Sequence, residues 1–260
     1  MKSNSRTKDE NEDEDEMTIA EQTTAVVLAG GFGKRIRHLL PDLPKPMAPV
    51  NGRPFLEWVV RYLAAQKIRR VILSTGHLTN VVERHFRSQP VENAHVTCAP
   101  ETRPLGTAGG FLNAICGAKK SDAFLVLNGD SLAPAPLDEM FASLDDPGVA
   151  GAILGVRVAD ASRFGTIAQN ARGELAGFSE KKPGAGDINA GVYLFRSPII
   201  SRFPKKMPLS FETDVFPALV AEKVRLKVCV TDAPFLDIGT PESLPPAEDF
   251  IRRNAECFES

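Results

Sequence analysis

A glycine-rich turn followed by two cations is the feature of this sequence best suited to chemistry. Residues 24–29 are a short, mainly apolar run typical of a buried strand, and the chain continues Gly30-Gly31-Phe32-Gly33-Lys34-Arg35. Glycines let backbone N–H groups approach an anion closely, and the cations neutralise its charge. We therefore expect this turn to hold the phosphates of a nucleoside triphosphate.

Two common phosphate-binding motifs do not fit this turn. A P-loop ends in Gly-Lys-Ser/Thr, whereas Gly33-Lys34 is followed by Arg35, and Leu28 stands where the first P-loop glycine belongs. A dinucleotide fingerprint needs a third glycine, and Ile36 occupies that position. The turn therefore indicates neither a P-loop NTPase nor a nicotinamide-dependent dehydrogenase.

The elements around the turn alternate in the first half of the chain. Apolar runs at 25–28, 71–73, 94–98 and 124–127 predict strands, and helical periodicity lies between them. This alternation predicts an α/β fold, a Rossmann-like, doubly wound, mostly parallel sheet whose ligands sit beyond the carboxyl ends of the strands.

The second half of the chain has a different pattern. Runs at 152–158, 166–169, 175–179 and 188–195 are separated by short turns, which predicts antiparallel pairing and makes the sheet mixed. A helix from about residue 213 to 222, a strand at 226–230 and a last helix after Pro241 complete the expected order.

Composition and charge restrict the classes of protein to which this sequence can belong. The 260 residues carry a net charge of −2, which gives no case for nucleic acid, and no apolar run reaches the roughly 18 residues that span a membrane. Seven acids and three bases among the first sixteen residues predict a disordered acidic tail, placed at 1–22, before a single domain at 23–260. Four cysteines without metal-ligand spacing indicate free thiols in a reducing, cytoplasmic setting.

Several further segments extend the turn into an ordered set that resembles the sugar-1-phosphate nucleotidylyltransferases, also called nucleoside-diphosphate-sugar pyrophosphorylases. In chain order the segments are Pro44-Lys45-Pro46-Met47, Pro104-Leu105-Gly106-Thr107-Ala108-Gly109, Leu127-Asn128-Gly129-Asp130, Phe178-Ser179-Glu180-Lys181-Lys182, Ile188-Asn189-Ala190-Gly191-Val192-Tyr193 and Phe235-Leu236-Asp237-Ile238-Gly239-Thr240-Pro241-Glu242. Each segment alone is weakly informative. Their order along residues 24–243 makes the resemblance specific.

The resemblance implies a two-substrate site that joins a nucleoside triphosphate to a sugar-1-phosphate. The residues it assigns to catalysis are Arg35 and Lys45, and those it assigns to Mg²⁺ are Asp130 and Asp237. The residues it assigns to the nucleotide are Leu28, Ala29, Gly30, Gly31, Gly33, Lys34, Gly106 and Thr107. The residues it assigns to the sugar phosphate, in the antiparallel subregion, are Gly165, Glu180, Lys181 and Asn189.

Within that family, Leu28-Ala29-Gly30-Gly31 and residues 45–50 are most similar to the bacterial D-glycero-D-manno-heptose 1-phosphate guanylyltransferases. The expected reaction joins GTP to a heptose- or mannose-type sugar-1-phosphate, for surface polysaccharide such as capsule or lipopolysaccharide. Uridylyl- and thymidylyltransferases share nearly all of these segments and stay open as alternatives. So do a non-catalytic regulatory homologue and assembly as a homo-oligomer.

Overall fold

The computed structural model describes residues 18–31, 36, 38–179 and 183–259. Its main strands are β1 Thr24–Ala29, β2 Arg70–Thr75, β3 His95–Pro100, β4 Ala123–Asn128, β5 Val149–Val158, β6 Thr166–Gln169, β7 Leu175–Ser179, β8 Gly186–Arg196 and β9 Arg225–Thr231. Its α-helices are α1 Ile19–Gln22, α2 Phe55–Ala65, α3 Thr79–Ser88, α4 Thr107–Ile115, α5 Asp138–Ala142, α6 Phe216–Ala221 and α7 Pro245–Arg253. No helix in this part of the chain has the length and apolar character needed to cross a membrane.

These strands form one mixed sheet. Strands β3, β2, β1 and β4 lie side by side and parallel, and β8 joins the far edge of β4 in the antiparallel direction. The register pairs Ala29 with Thr75 and Leu28 with Asn128, so β1, β2 and β4 end at the same edge. The predicted mostly parallel, doubly wound α/β fold is confirmed, and the ends of these strands form one edge where a ligand can bind.

The antiparallel subregion is also confirmed. Strand β8 pairs antiparallel with β5 and β6, and β6 pairs antiparallel with β7. Strand β9 runs parallel to β5 and completes this side of the sheet. Thr166 of β6 lies opposite Ile188 of β8, so the turn before β6 lies beside the first half of β8.

Two apolar layers cover the sheet. Alternate residues of β1 face opposite sides, so Val27 packs with α2 in one layer while Val26 packs with α4 and α6 in the other. The helical spacing of Leu56, Val59, Val60 and Leu63 predicts one buried face of α2, and all four side chains are fully buried. The second layer is rich in aromatic rings, among them Phe111, Tyr193, Phe195, Phe211 and Phe216.

Two boundaries differ from the expectations. Residues 18–22, which the sequence placed in the disordered tail, form a short helix whose Thr18 and Glu21 cap each other in a reciprocal capping box. Residues 1–17 lie outside the described part of the chain. The single helix expected from residue 213 is instead a π-helical turn, Phe211–Val215, that continues into α6.

Candidate active site

A cavity of about 340 Å³ opens at the carboxyl edge of the parallel strands. Its wall comes from the end of β1, the loops after β3 and β4, and the short helical turn Lys45–Met47. The lining residues are Leu28, Gly30, Gly31, Lys45, Pro46, Glu101, Pro104, Leu105, Gly106, Thr107, Asn128 and Asp130. Segments far apart in the sequence thus meet at one place, because each follows or flanks a neighbouring strand.

The loop that enters α4 is tightly held at Gly106. This residue has φ +79° and ψ 168°, a backbone conformation that is essentially restricted to glycine. A Cβ at this position would lie 2.4 Å from the carbonyl oxygen of Leu209. Leu209 N–H also donates to Leu105 O at 2.8 Å, so the loop and residue 209 hold each other in place.

Glu101 is a cavity residue that sequence reasoning did not assign to the site. Its carboxylate accepts hydrogen bonds from Ser74 Oγ at 2.9 Å and from Leu105 N–H at 3.2 Å. Gly30 and Gly110 leave room for it, since a Cβ at either would lie within 3 Å of Oε1. Glu101 therefore fixes the loop against the ends of β1 and β2. The only sequence signal was a charged residue in the loop, which does not reveal where its side chain points.

Lys45 lies between the two carboxylates that the resemblance assigns to metal. Its Nζ is 2.5 Å from Asp130 Oδ2 and 3.9 Å from Asp237 Oδ1, and its side chain is 9% exposed. A two-residue antiparallel pairing between Ser131–Leu132 and Leu236–Asp237 brings the two acids together. Ile238 N–H donates to Asp130 O at 3.0 Å and fixes the same arrangement.

These two aspartates have the donor chemistry that Mg²⁺ requires. Both carboxylates are hard oxygen donors and are more than one third exposed, so water and phosphate oxygens can reach the same ion. The described residues contain no group of three or more side chains that could hold a metal by themselves. That is compatible with Mg²⁺, which is usually bound by one or two carboxylates together with substrate phosphates and water.

Two of the sugar-side candidates, Gly165 and Asn189, lie on the turn before β6 and on β8. Pairing of Thr166 with Ile188 places Gly165 beside the segment that contains Asn189. Phe164 packs edge-on against Phe235, 5.6 Å between ring centroids, and Phe235 lies two residues before Asp237. The turn that contains Gly165 is therefore packed against the segment that carries the second acid.

Some of the assigned residues lie elsewhere or outside the described residues. Ala29 packs its side chain into the core and is not part of the cavity wall. Five residues fall on segments that the structure does not describe, and their roles stay predictions: Gly33, Lys34, Arg35, Glu180 and Lys181. Glu180 and Lys181 directly follow β7, whose Ser179 pairs with Thr166.

Comparison with known proteins matches most of the chain to one family. Residues 24–254 fit the family model described as Nucleotidyl transferase. The chain belongs to the nucleotidyl transferase family. The chain is 35% identical to a mannose-1-phosphate guanylyltransferase of Mycobacterium tuberculosis over 90% of its own length, and it spans 64% of that relative. It is 33% identical to a D-glycero-alpha-D-manno-heptose 1-phosphate guanylyltransferase of Campylobacter jejuni, covering 84% of this chain and 95% of the relative.

A solved structure has the same fold. The crystal structure of HddC from Yersinia pseudotuberculosis complexed with GMP-PN aligns with a TM-score of 0.75 and 33% sequence identity, over 87% of this chain and 98% of that one. A nucleotidyl transferase has to bind an anionic nucleotide. The cavity is lined by Gly30, Gly31 and the nearly buried Lys45, whose Nζ lies within 4 Å of two carboxylates.

Proposed function

We propose that this chain is a sugar-1-phosphate guanylyltransferase that joins GTP to a heptose- or mannose-type sugar-1-phosphate and releases pyrophosphate. The observation that carries the proposal is the meeting of the glycine turn, the Gly106 loop and the Lys45–Asp130–Asp237 cluster at one cavity. The relatives from Mycobacterium tuberculosis and Campylobacter jejuni are a mannose-1-phosphate and a heptose 1-phosphate guanylyltransferase, which supports the choice of guanine and of these sugars.

The reaction is a substitution at the α-phosphorus of the nucleotide. An oxygen of the sugar phosphate forms a new bond to that phosphorus, and the bond to the oxygen that bridges the α- and β-phosphates breaks. The electron pair leaves with pyrophosphate, and no proton has to be removed from an already anionic nucleophile. The protein must therefore position two anions and offset their charge.

Lys45 is the described residue best placed to offset charge on the reacting phosphates. Its amine is held by Asp130 in a nearly buried position, where a charge is screened less than in water. Asp130 and Asp237 would hold Mg²⁺, which would neutralise phosphate oxygens and fix their geometry. Arg35, by the family resemblance, would contact the triphosphate and the departing pyrophosphate.

The cellular role that we propose follows from the product. A GDP-heptose or GDP-mannose would supply an activated sugar for surface polysaccharide, made in the cytoplasm. All four cysteines are free, and the buried thiol of Cys229 has its pKa raised to about 12 by burial, so it stays protonated and unreactive. A homo-oligomer remains compatible with this role.

A substrate matrix tests the function. Each of GTP, UTP, dTTP and ATP is incubated with mannose 1-phosphate, D-glycero-α-D-manno-heptose 1-phosphate and glucose 1-phosphate, and pyrophosphate release is measured with Mg²⁺ and with EDTA. We expect turnover with GTP and one of the first two sugars, and loss of turnover in EDTA.

The other results separate the alternatives. Preference for UTP or dTTP would replace the guanylyl assignment by the uridylyl or thymidylyl one. No product with any pair, from folded protein, would favour a non-catalytic homologue. Full turnover in EDTA would contradict the role given to Asp130 and Asp237.

A further inference from the structure

A series of hydrogen bonds leads from Thr107, a cavity residue that the family resemblance assigns to the nucleotide, into the protein interior. Thr107 lines the cavity at the start of α4, and its hydroxyl donates to Glu212 Oε2 at 3.3 Å. The same hydroxyl accepts from Phe211 N–H at 2.9 Å. Ser210 Oγ donates to the same carboxylate oxygen at 2.9 Å. Glu212 is therefore tied to the wall of the cavity through hydroxyl groups.

The same series of hydrogen bonds continues to Asn189 on β8, which the family resemblance assigns to the sugar phosphate. Tyr193, which is fully buried, donates its hydroxyl to Glu212 Oε1 at 3.1 Å and accepts from Asn189 Nδ2 at 2.9 Å. Asn189 Oδ1 in turn accepts from Gly191 N–H at 2.9 Å. Three side chains, Glu212, Tyr193 and Asn189, thus connect the loop that enters α4 with β8.

The Glu212 carboxylate determines the direction of the two hydrogen bonds made by the Tyr193 hydroxyl. A carboxylate can only accept, so the Tyr193 hydroxyl must donate to it and has to accept from the amide of Asn189. Burial, and then the charge of Glu212, raise the pKa of Tyr193 well above its ordinary value, so the hydroxyl keeps its proton. Asn189 Nδ2 donates to Tyr193 and Asn189 Oδ1 accepts from Gly191 N–H, so the amide is held at both of its polar atoms.

The surrounding backbone makes this connection stiff. Leu209 is bonded to the Gly106 loop through both its N–H and its carbonyl group, which accepts from Gly109 N–H at 3.1 Å. On the other side, a Cβ at Gly191 would lie 2.3 Å from Nδ2 of the cavity residue Asn128. Glu212 itself belongs to a π-helical turn, an irregularity that is frequent at functional sites.

We propose that Glu212 is a positioning residue that, through Tyr193, holds the Asn189 amide in one orientation and ties it to Thr107, so that nucleotide and sugar phosphate strengthen each other's binding. This inference rests on the proposed function, because it takes Thr107 and Asn189 to face the two substrates. Because this connection is stiff, a nucleotide that contacts Thr107 fixes the same arrangement of Glu212, Tyr193 and Asn189 that the second substrate requires.

Binding of one substrate in the presence of the other tests the inference. Calorimetry measures the affinity for whichever sugar-1-phosphate supports turnover, with and without saturating α,β-methylene-GTP, which cannot release pyrophosphate. In the natural protein we expect the analogue to tighten sugar-phosphate binding by about fivefold or more. Tyr193→Phe and Glu212→Ala should each bring this ratio close to one, whereas Glu212→Gln, whose amide oxygen can still accept from Tyr193, should retain part of it.

The second tyrosine of the chain provides a matched control. Tyr62 is also buried, and its hydroxyl donates to Ala135 O at 2.6 Å in the other apolar layer. Tyr62→Phe removes an equally buried hydroxyl, so a general loss of stability would show in both variants, and the ratio should change only in Tyr193→Phe. Thermal unfolding of every variant is measured alongside the titrations. If Tyr193→Phe does not fold, the comparison of Glu212→Ala with Glu212→Gln tests the inference.

The possible results distinguish failure of this inference from failure of the proposed function. If the natural protein binds both ligands without mutual strengthening, or if Tyr193→Phe and Glu212→Ala keep its ratio, the positioning role is wrong and the proposed function stands. If the natural protein does not bind the guanosine analogue at all, the proposed function itself fails and the inference falls with it.

Discussion

At the scale of single residues, Lys45 connects the two carboxylates of the candidate site. It is nearly buried between two carboxylates, and its nearest partner, Asp130, is 39% exposed and faces the cavity. The lysine offsets the repulsion between the two acids, and the acids are the charged partners that a nearly buried ammonium group needs. This mutual dependence gives Asp130 a role that a surface aspartate does not have.

Replacement of Asp130 by alanine should abolish most of the activity while leaving the fold intact. Among the described residues, the one side-chain partner of this carboxylate is Lys45, and Asp130 lies at the edge of the sheet rather than in the core. Loss of a carboxylate that we propose to bind Mg²⁺ should lower kcat by at least about 100-fold, a loss of about 2.8 kcal/mol of transition-state stabilisation at about 1.4 kcal/mol for each factor of ten. Pyrophosphate release at saturating Mg²⁺ measures this effect.

Asp232→Ala is the control for that measurement. Asp232 is 81% exposed, pairs with Arg157 at 3.5 Å and lies five residues before Asp237. We expect normal turnover and unchanged thermal unfolding from Asp232→Ala. Asp130→Ala should remain folded with some loss of stability, because the nearly buried Lys45 then keeps only its more distant partner, Asp237. Near-normal turnover from Asp130→Ala would show that the acid does not serve the reaction.

At the scale of elements, the junction between the Gly106 loop and residue 209 determines where α4 begins. Gly106→Ala introduces a Cβ that meets a backbone carbonyl at 2.4 Å, and the two hydrogen bonds of Leu209 prevent that carbonyl from moving away. Strain in a backbone conformation restricted to glycine adds to the collision, so the free energy of unfolding should fall by about 3 kcal/mol. The KM for the nucleotide should rise, because Thr107 moves with the loop.

Gly52→Ala is a control that separates the effect of backbone strain from that of the steric clash with Leu209. Gly52 also has a positive φ, +73°, but nothing lies within 4 Å of the position where its Cβ would be. The free energy of unfolding should therefore fall by only about 1 kcal/mol, and the nucleotide KM should not change. Equal losses for the two variants in urea unfolding would show that contact with Leu209 does not matter.

Comparison of elements shows what the sequence could predict. Apolar runs such as 25–28 and 124–127 predict strands because buried parallel strands are continuous apolar segments, and the motif residues after them fall at the sheet edge. The two-residue pairing that brings Asp237 to Asp130 is too short to leave a periodic signal. The hydrogen bond from Tyr193 to Glu212 joins β8 to a π-helical turn that has no sequence signature, so only the structure reveals it.

At the scale of the whole molecule, the sheet has a parallel half and an antiparallel half, which contribute different residues. The parallel half supplies the strand ends around the cavity, and the antiparallel half carries Gly165 and Asn189 on neighbouring segments. The two halves join where β4 pairs with β8. The far edge of the antiparallel half is secured by a different interaction, the ion pairs of Glu174.

Glu174 connects the turn between β6 and β7 to β9. It is 4% exposed and accepts from Arg225 at 2.6 Å, from Asn170 at 2.9 Å and from Arg172 at 3.0 Å. Hydrogen bonds from Arg225 and Asn170, followed by Arg172, lower the pKa of Glu174 from 4.5 to about 2, although burial acts in the opposite direction. The carboxylate therefore stays charged in the folded protein at pH values where it is protonated in the unfolded chain.

The pH dependence of stability follows from this difference. Between pH 4.5 and about 2 the unfolded chain binds a proton at Glu174 that the folded protein does not, so its contribution is complete above pH 4.5 and is lost as the pH falls to about 2. Glu174→Gln should therefore be less stable than the natural protein at pH 7 and should approach it at pH 2.5. Urea unfolding at pH 7, 4.5, 3.5 and 2.5 measures the difference, with the exposed Glu92→Gln as control. A deficit of constant size at all four pH values would mean that the side chain stabilises the fold by packing and not by its charge.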